Sequence, residues 1–142
     1  MSALRRWRKQ LHPSGEPPIE KSLISDYRML SVVEYVRKDG SNPYRAWFEG
    51  LQALAAAKVA TAVTRLELDN TSRVKWIGPI GEYRIDWGPG YRIYLAKDGD
   101  SLIVLLGGGT KQRQQADIDR AKALWAEYKA RKSAATGRPH RR

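Results

Sequence analysis

Apolar and polar positions alternate most regularly over residues 82–94, which read E-Y-R-I-D-W-G-P-G-Y-R-I-Y. Two short alternating runs flank Gly88-Pro89-Gly90, the pattern of two antiparallel strands joined by a tight turn. Successive side chains of a strand point to opposite faces, so Tyr83, Ile85 and Trp87 share a core-facing side with Tyr91, Ile93 and Leu95. Glu82, Arg84, Asp86, Arg92, Tyr94 and Ala96 then lie on the other side, an outward polar platform with two arginines on neighbouring strands.

The remaining elements follow from period and punctuation. Residues 31–37 carry Val32, Val33, Tyr35 and Val36 and suit a first strand, which Asp39-Gly40 turns. Asn42 before Pro43 is a helix start, with Asn as N-cap and Pro at the first helical position. Trp47, Phe48, Leu51 and Leu54 recur at helical spacing, with Gly50 a weak point, and a break over 51–55 divides the region into a helix pair. The second helix, over 55–68, turns Val59, Ala62, Val63 and Leu66 inward. Residues 73–77 re-enter extended structure, and Gly78 to Gly81 interrupts before the hairpin. After a turn at Lys97-Asp98-Gly99-Asp100, residues 102–106 are apolar on both faces, as in a central strand covered on both sides. The triple glycine 107–109 ends that strand and admits a close backbone approach. Ile118, Ala121, Leu124, Trp125 and Tyr128 mark a last amphipathic helix. This order predicts an α+β fold: an antiparallel three- to four-stranded sheet packed by an N-terminal helix pair and a C-terminal helix.

A chain of 142 residues is enough for one core. Residues 29–128 form the expected folded body, starting where the regular pattern begins. Residues 1–28, with a basic cluster and then P-S-G-E-P-P, read as a disordered or weakly helical extension, and 129–142 as a basic flexible tail. The net charge of +11 is concentrated there: the extension contributes +3, the tail +6 and the body +2. Such ends attract polyanions, but they do not make the body a nucleic-acid binder. The sequence has no cysteine, no apolar run of membrane-spanning length and no signal peptide, so a cytoplasmic protein is expected.

Chemistry narrows by exclusion. Both histidines, His12 and His140, fall in the ends, which leaves no paired-histidine or histidine-rich metal site in the body. No nucleophilic-serine elbow, Walker loop or dinucleotide fingerprint is present. No cofactor or metal is expected. What remains is the polar hairpin face with Lys111 and Arg113 just beyond the glycines. Guanidinium groups offer a phosphate forked hydrogen bonds and fixed charge, and two of them can stabilise a pentacoordinate transition state. Glu82 or Asp86 could accept a proton, although a carboxylate beside arginines is a weak base. Arg73, Lys75, Tyr94 and Arg113 are candidate nucleic-acid contacts. The competing reading is plain: arginines alternating with acids on a sheet face are ordinarily solvated cross-strand pairs. Tyr83, Trp87, Tyr91 and Trp125 read as core aromatics.

Asn42-Pro43 before Trp47-Phe48, then E-Y-R-I-D-W-G-P-G-Y-R-I-Y, L-I-V-L-L-G-G-G-T-K-Q and D-I-D-R-A-K-A-L-W, resemble the HigB/RelE-type toxins, and more closely the subgroup described as addiction-module killer proteins. The resemblance spans 29–128. It implies a RelE/ParE-like fold and a ribosome-dependent endoribonuclease, a metal-independent messenger-RNA interferase neutralised by a helix-turn-helix antitoxin. Carried over by position, Arg92 matches the arginine that contacts the scissile phosphate, Arg84 a basic residue of the preceding strand, and Lys111 a late-strand basic residue. Two positions differ: Asp86 stands where RelE is basic, and Asp117 stands near an expected catalytic tyrosine or histidine.

The implied reaction is attack of a ribose 2′-hydroxyl on the adjacent phosphate, with the ribosome positioning the message. It requires the guanidiniums to converge within reach of a substrate. Two other functions fit the same architecture. One is a ParE-like DNA gyrase inhibitor. The other is a non-catalytic relative that binds its antitoxin and nucleic acid.

Overall fold

Asn42 starts the first helix as its sequence position predicts, its side-chain oxygen accepting the Arg45 backbone N–H at 2.9 Å in a computed structural model that describes residues 29–137. The expected extension over 1–28 and the end of the basic tail lie outside the described residues. In chain order the elements are β1 (Ser31–Glu34), α1 (Pro43–Glu49), α2 (Ala53–Glu67), β2 (Val74–Ile77), β3 (Ile80–Ile85), β4 (Tyr91–Asp98), β5 (Leu102–Thr110), a 3-10 turn (Lys111–Arg113) and α3 (Gln114–Thr136). The fold is α+β, with the helix break falling near Gly50.

The sheet has five strands in the order β1-β5-β4-β3-β2, more than the three or four expected. It is mixed: β2 to β5 form an antiparallel meander, whereas β1 pairs parallel to β5, Ser31 opposite Leu102 and Glu34 opposite Leu105. The reason is topological. After β1, the helix pair carries the chain to the far edge, and only the return of β5 brings a strand alongside β1. That crossover leaves no local sequence mark. The segment 78–81 also differs from expectation, because Gly78 and Pro79 make the turn while Ile80 and Gly81 belong to β3.

Both faces of the sheet are covered. Tyr83, Ile85, Ile93 and Leu95 lie on one face with Val59, Ala62 and Leu66 of α2, as the alternation predicts. Each buried Val, Ile or Leu among them contributes about 1.5–3 kcal/mol by leaving water. Leu54 stays outside this core, 69% exposed, and Tyr44 takes the buried position on α1. The opposite face is not an outward platform. It carries Tyr94, Ala96, Val104 and Leu106, and α3 lays Ile118, Ala121, Leu124 and Trp125 on it. The apolar stripe of α3 needs a surface to cover, and this face supplies it.

The triple glycine is strand, not strand end. A bulge sets Tyr94 opposite Gly107 and Leu95 opposite Leu105, which makes Leu106 the extra residue and reverses the alternation beyond it. Gly108 then meets Trp47 of α1 on one face, and Gly109 meets Asp117 of α3 on the other. A Cβ at either position would overlap those side chains. Helix α3 also continues past Lys129, where a flexible tail was expected. Arg131 donates to the Val36 carbonyl at 2.8 Å, Lys132 pairs with Asp98 at 2.7 Å, and Glu127 holds Arg37 at 3.0 Å. Part of the basic end is therefore structural.

Gly108→Ala forces a methyl group into the Trp47 ring, so urea unfolding is expected to show a loss of about 1–3 kcal/mol, the usual cost of overpacking. An unchanged midpoint would mean that Trp47 moves aside at no cost.

Candidate functional site

The register of β3 and β4 places Arg84 opposite Arg92 and Glu82 opposite Tyr94. Arg92 is in turn opposite Gly109 of β5, so one row runs across three strands toward the start of α3. The guanidiniums do converge, but on a carboxylate. Glu82 has no exposed surface. Its Oε2 accepts Gln114 Nε2 at 2.8 Å and the Tyr94 hydroxyl at 3.3 Å, with Arg92 Nε at 3.5 Å. Its Oε1 lies 3.8 Å from Arg84 Nε. At those separations the arginines act as counter-charges rather than hydrogen-bond donors, and Glu82 Oε1 and Arg92 Nε have no hydrogen-bond partner among the described residues.

Exposure separates the two arginines. The Arg84 side chain is 49% exposed and the Arg92 side chain 5%. Arg92 Nη1 reaches the Gly90 carbonyl at 3.4 Å, so this side chain is built into the protein rather than displayed on it. Tyr94 is buried too, which removes it as a surface for stacking an RNA base. Burial, followed by the Glu82 and Asp117 charges, pushes the Tyr94 hydroxyl above its ordinary range, so it remains a proton donor.

Lys111 and Arg113 sit exposed in the 3-10 turn beyond β5. Arg113 lines a cleft of about 270 Å3 with Trp47, Tyr94, Gly108, Asp117 and Arg120. Asp117 is half-buried over Gly109. Burial raises its pKa, and the charges of Arg113 and Arg120 oppose the shift. Lys75, exposed on β2, stands opposite Glu82. Arg73 does not join this group. It lines a separate cleft of about 260 Å3 with Lys58, Arg65, Asp86 and Trp87. Asp86 is there as well because β3 ends at Ile85, and alternation does not extend past a strand's end.

Glu82, Arg84, Arg92 and Tyr94 are thus brought together, Lys111 and Arg113 lie at the end of the adjacent strand, and Arg73 is elsewhere. Reasoning from residue types missed Gln114, which holds Glu82, and Arg120, which flanks Asp117. The available signal was Gly108-Gly109 followed by a polar helix start, since adjacent glycines in a strand announce side chains arriving from both faces. Among the described residues, no cluster of three or more His, Asp or Glu side chains could hold a metal ion, and no helix is long and apolar enough to cross a membrane.

No family model matches the chain. It is 40% identical over 86 residues to an uncharacterized protein of Haemophilus influenzae, an alignment that covers 59% of this chain and 87% of that protein.

Replacing Glu82 by Gln leaves the Arg92 guanidinium buried without its counter-charge, and a loss of about 3–5 kcal/mol is expected in urea unfolding. A Glu82→Gln protein as stable as wild type would show that the negative charge is dispensable. Asp117 has the opposite sign. Its raised folded-state pKa means that its contribution to stability is full below the ordinary aspartate range, about pH 4, and is lost as pH rises through the folded value. Asp117→Asn should therefore gain stability relative to wild type at neutral pH, and the gain should shrink on acidification. A difference independent of pH would remove the burial argument.

Proposed function

The chain belongs to the same family as that Haemophilus influenzae protein, and we propose that it is the toxin of a type II toxin–antitoxin pair of the HigB/RelE kind. On this reading the fold is RelE/ParE-like, the substrate is messenger RNA on the ribosome, and the neutralising partner is a helix-turn-helix antitoxin. The observation that carries it is the direct cross-strand pairing of Arg84 with Arg92 at the end of the sheet where Lys111 and Arg113 emerge. Four cations (Arg84 and Arg92 beside Glu82, Arg113 and Arg120 beside Asp117) surround two carboxylates there, and Lys111 begins the adjoining 3-10 turn, an excess suited to a polyanion.

The geometry divides the labour differently from the one that residue types suggest. Arg92 and Glu82 form the floor, and their burial puts them out of direct contact with a phosphate. Arg84, Lys111 and Arg113 have the exposure to contact one. In 2′-hydroxyl attack, negative charge grows on the non-bridging phosphate oxygens, and fixed cations at that position lower the barrier without a metal. The ribosome supplies orientation.

The burial of Arg92 against Glu82 favours a second reading, a relative that binds antitoxin and nucleic acid without cutting. Induction in a bacterial host, with transcript 5′ ends mapped by primer extension, separates the two. The toxin arrests growth and leaves defined cuts, and Arg84→Ala and Lys111→Ala at matched expression each reduce cutting about 100-fold. Arrest with intact transcripts and DNA damage would point to gyrase. No arrest would leave the binding relative.

A further inference from the structure

A reaction that removes a proton from a 2′-hydroxyl needs an acceptor, and several carboxylates of the body are already engaged. Glu82 is sealed under Arg84, Arg92, Tyr94 and Gln114. Glu34 is held by Arg45 and Asn42, Asp98 by Tyr128 and Lys132, and Glu127 by Tyr35 and Arg37. Each of these three is lowered below its ordinary carboxylate range by those contacts, which makes it a poorer base. Asp86 opens on the other cleft.

Asp117 differs in its hydrogen bonding and in its access to solvent. It comes from the first turn of α3, and its carboxyl rests on the backbone of Gly109 because that position has no side chain. It lines an open cleft, beside the row that contains Arg84 and Arg92. No hydrogen bond to a described residue occupies its oxygens. Keeping Gly109 bare for it costs strand propensity, and a half-buried carboxylate costs stability. Neither cost is needed by the core.

We propose that Asp117 is the proton acceptor of RNA cleavage, with the nucleotide on the 5′ side of the scissile phosphate seated in the cleft between Trp47, Gly108 and Arg113. This rests on the RNA-cutting reading. The Asp117 carboxylate takes the 2′-hydroxyl proton as the O2′–P bond forms. The P–O5′ bond then breaks, and the departing O5′ takes a proton from water. The products are a 2′,3′-cyclic phosphate and a 5′-hydroxyl. Burial raises the Asp117 pKa above the ordinary aspartate value, which makes its ionised carboxylate a stronger base than a solvated one.

The surroundings determine how this titration reads out. The 3-10 turn presents Arg113, and α3 presents Arg120. From β4 come Arg92 and the Tyr94 hydroxyl, and behind them on β3 lies Glu82. Lining residues from α1 and β5 (Pro43, Ala46, Trp47 and the glycines) bring no charge. Asp117 is thus the group in the cleft able to give a single ionisation on the acid side.

The test uses the full chain and ribosomes programmed with a defined message, with single-turnover cleavage followed against pH. Wild type should lose rate tenfold per pH unit on the acid side. Asp117→Asn should bind the programmed ribosome unchanged, cleave at least about 100-fold more slowly, and lose the acid limb. Asp117→His should restore part of the rate with the limb moved up toward about pH 6.5, a shift that a merely structural role would not produce. Wild-type cleavage by Asp117→Asn with its acid limb intact, or an unmoved limb in Asp117→His, overturns the assignment while cleavage itself stands. A wild-type protein that never cuts overturns both.

Discussion

A carboxylate with no access to water sits on β3, one strand in from the edge of the sheet, and its charge must be answered from within the protein. Glu82 is answered from β3 itself by Arg84, from β4 by Arg92 and Tyr94, and from α3 by Gln114. An uncompensated ion in such a place costs several kcal/mol, so the pairing of β3 with β4 and the docking of α3 are linked through one side chain. The link also has a directional effect. Neutral packing would tolerate small rotations of α3 on the sheet, whereas a hydrogen bond of 2.8 Å from Gln114 sets where the helix begins.

That starting point positions the rest of the site. Once Gln114 is anchored, the 3-10 turn projects Lys111 and Arg113, and the first turn of α3 brings Asp117 onto Gly109. The bulge at Leu106 contributes equally, because it decides that Gly109 rather than Gly108 faces α3. On the opposite face Gly108 receives Trp47, so two adjacent glycines accept helices from two sides. The end of β5 is where α1, the sheet and α3 meet, and it is also where the accessible cations gather.

The electrostatic design has two layers. Beneath, Arg92 and Glu82 form an internal pair shielded from solvent ions. Above, Arg84, Lys111, Arg113 and Arg120 are exposed to solvent. The lower layer gives the upper one a fixed base on β3 and β4. Arg131 and Lys132 show the alternative fate of a basic residue, spent on fastening α3 to the segment after β1 and to β4.

Local pattern was enough for much of this. Alternation over 82–94 assigned Tyr83, Ile85, Ile93 and Leu95 to one face, Asn42-Pro43 marked a helix start, and the doubly apolar run 102–106 identified a strand covered on both sides. These properties arise between neighbours in the chain, so periodicity and capping express them directly. The parallel partner of β1, the burial of Arg92 and Tyr94 beneath α3, the bulge that reorients the glycines and the seating of Asp117 were settled only in three dimensions. Each depends on a segment far away in sequence, as Glu82 depends on Gln114 and Arg37 on Glu127. Whether an arginine faces water or a buried carboxylate is decided by what packs over it, and alternation within a strand carries no information about that.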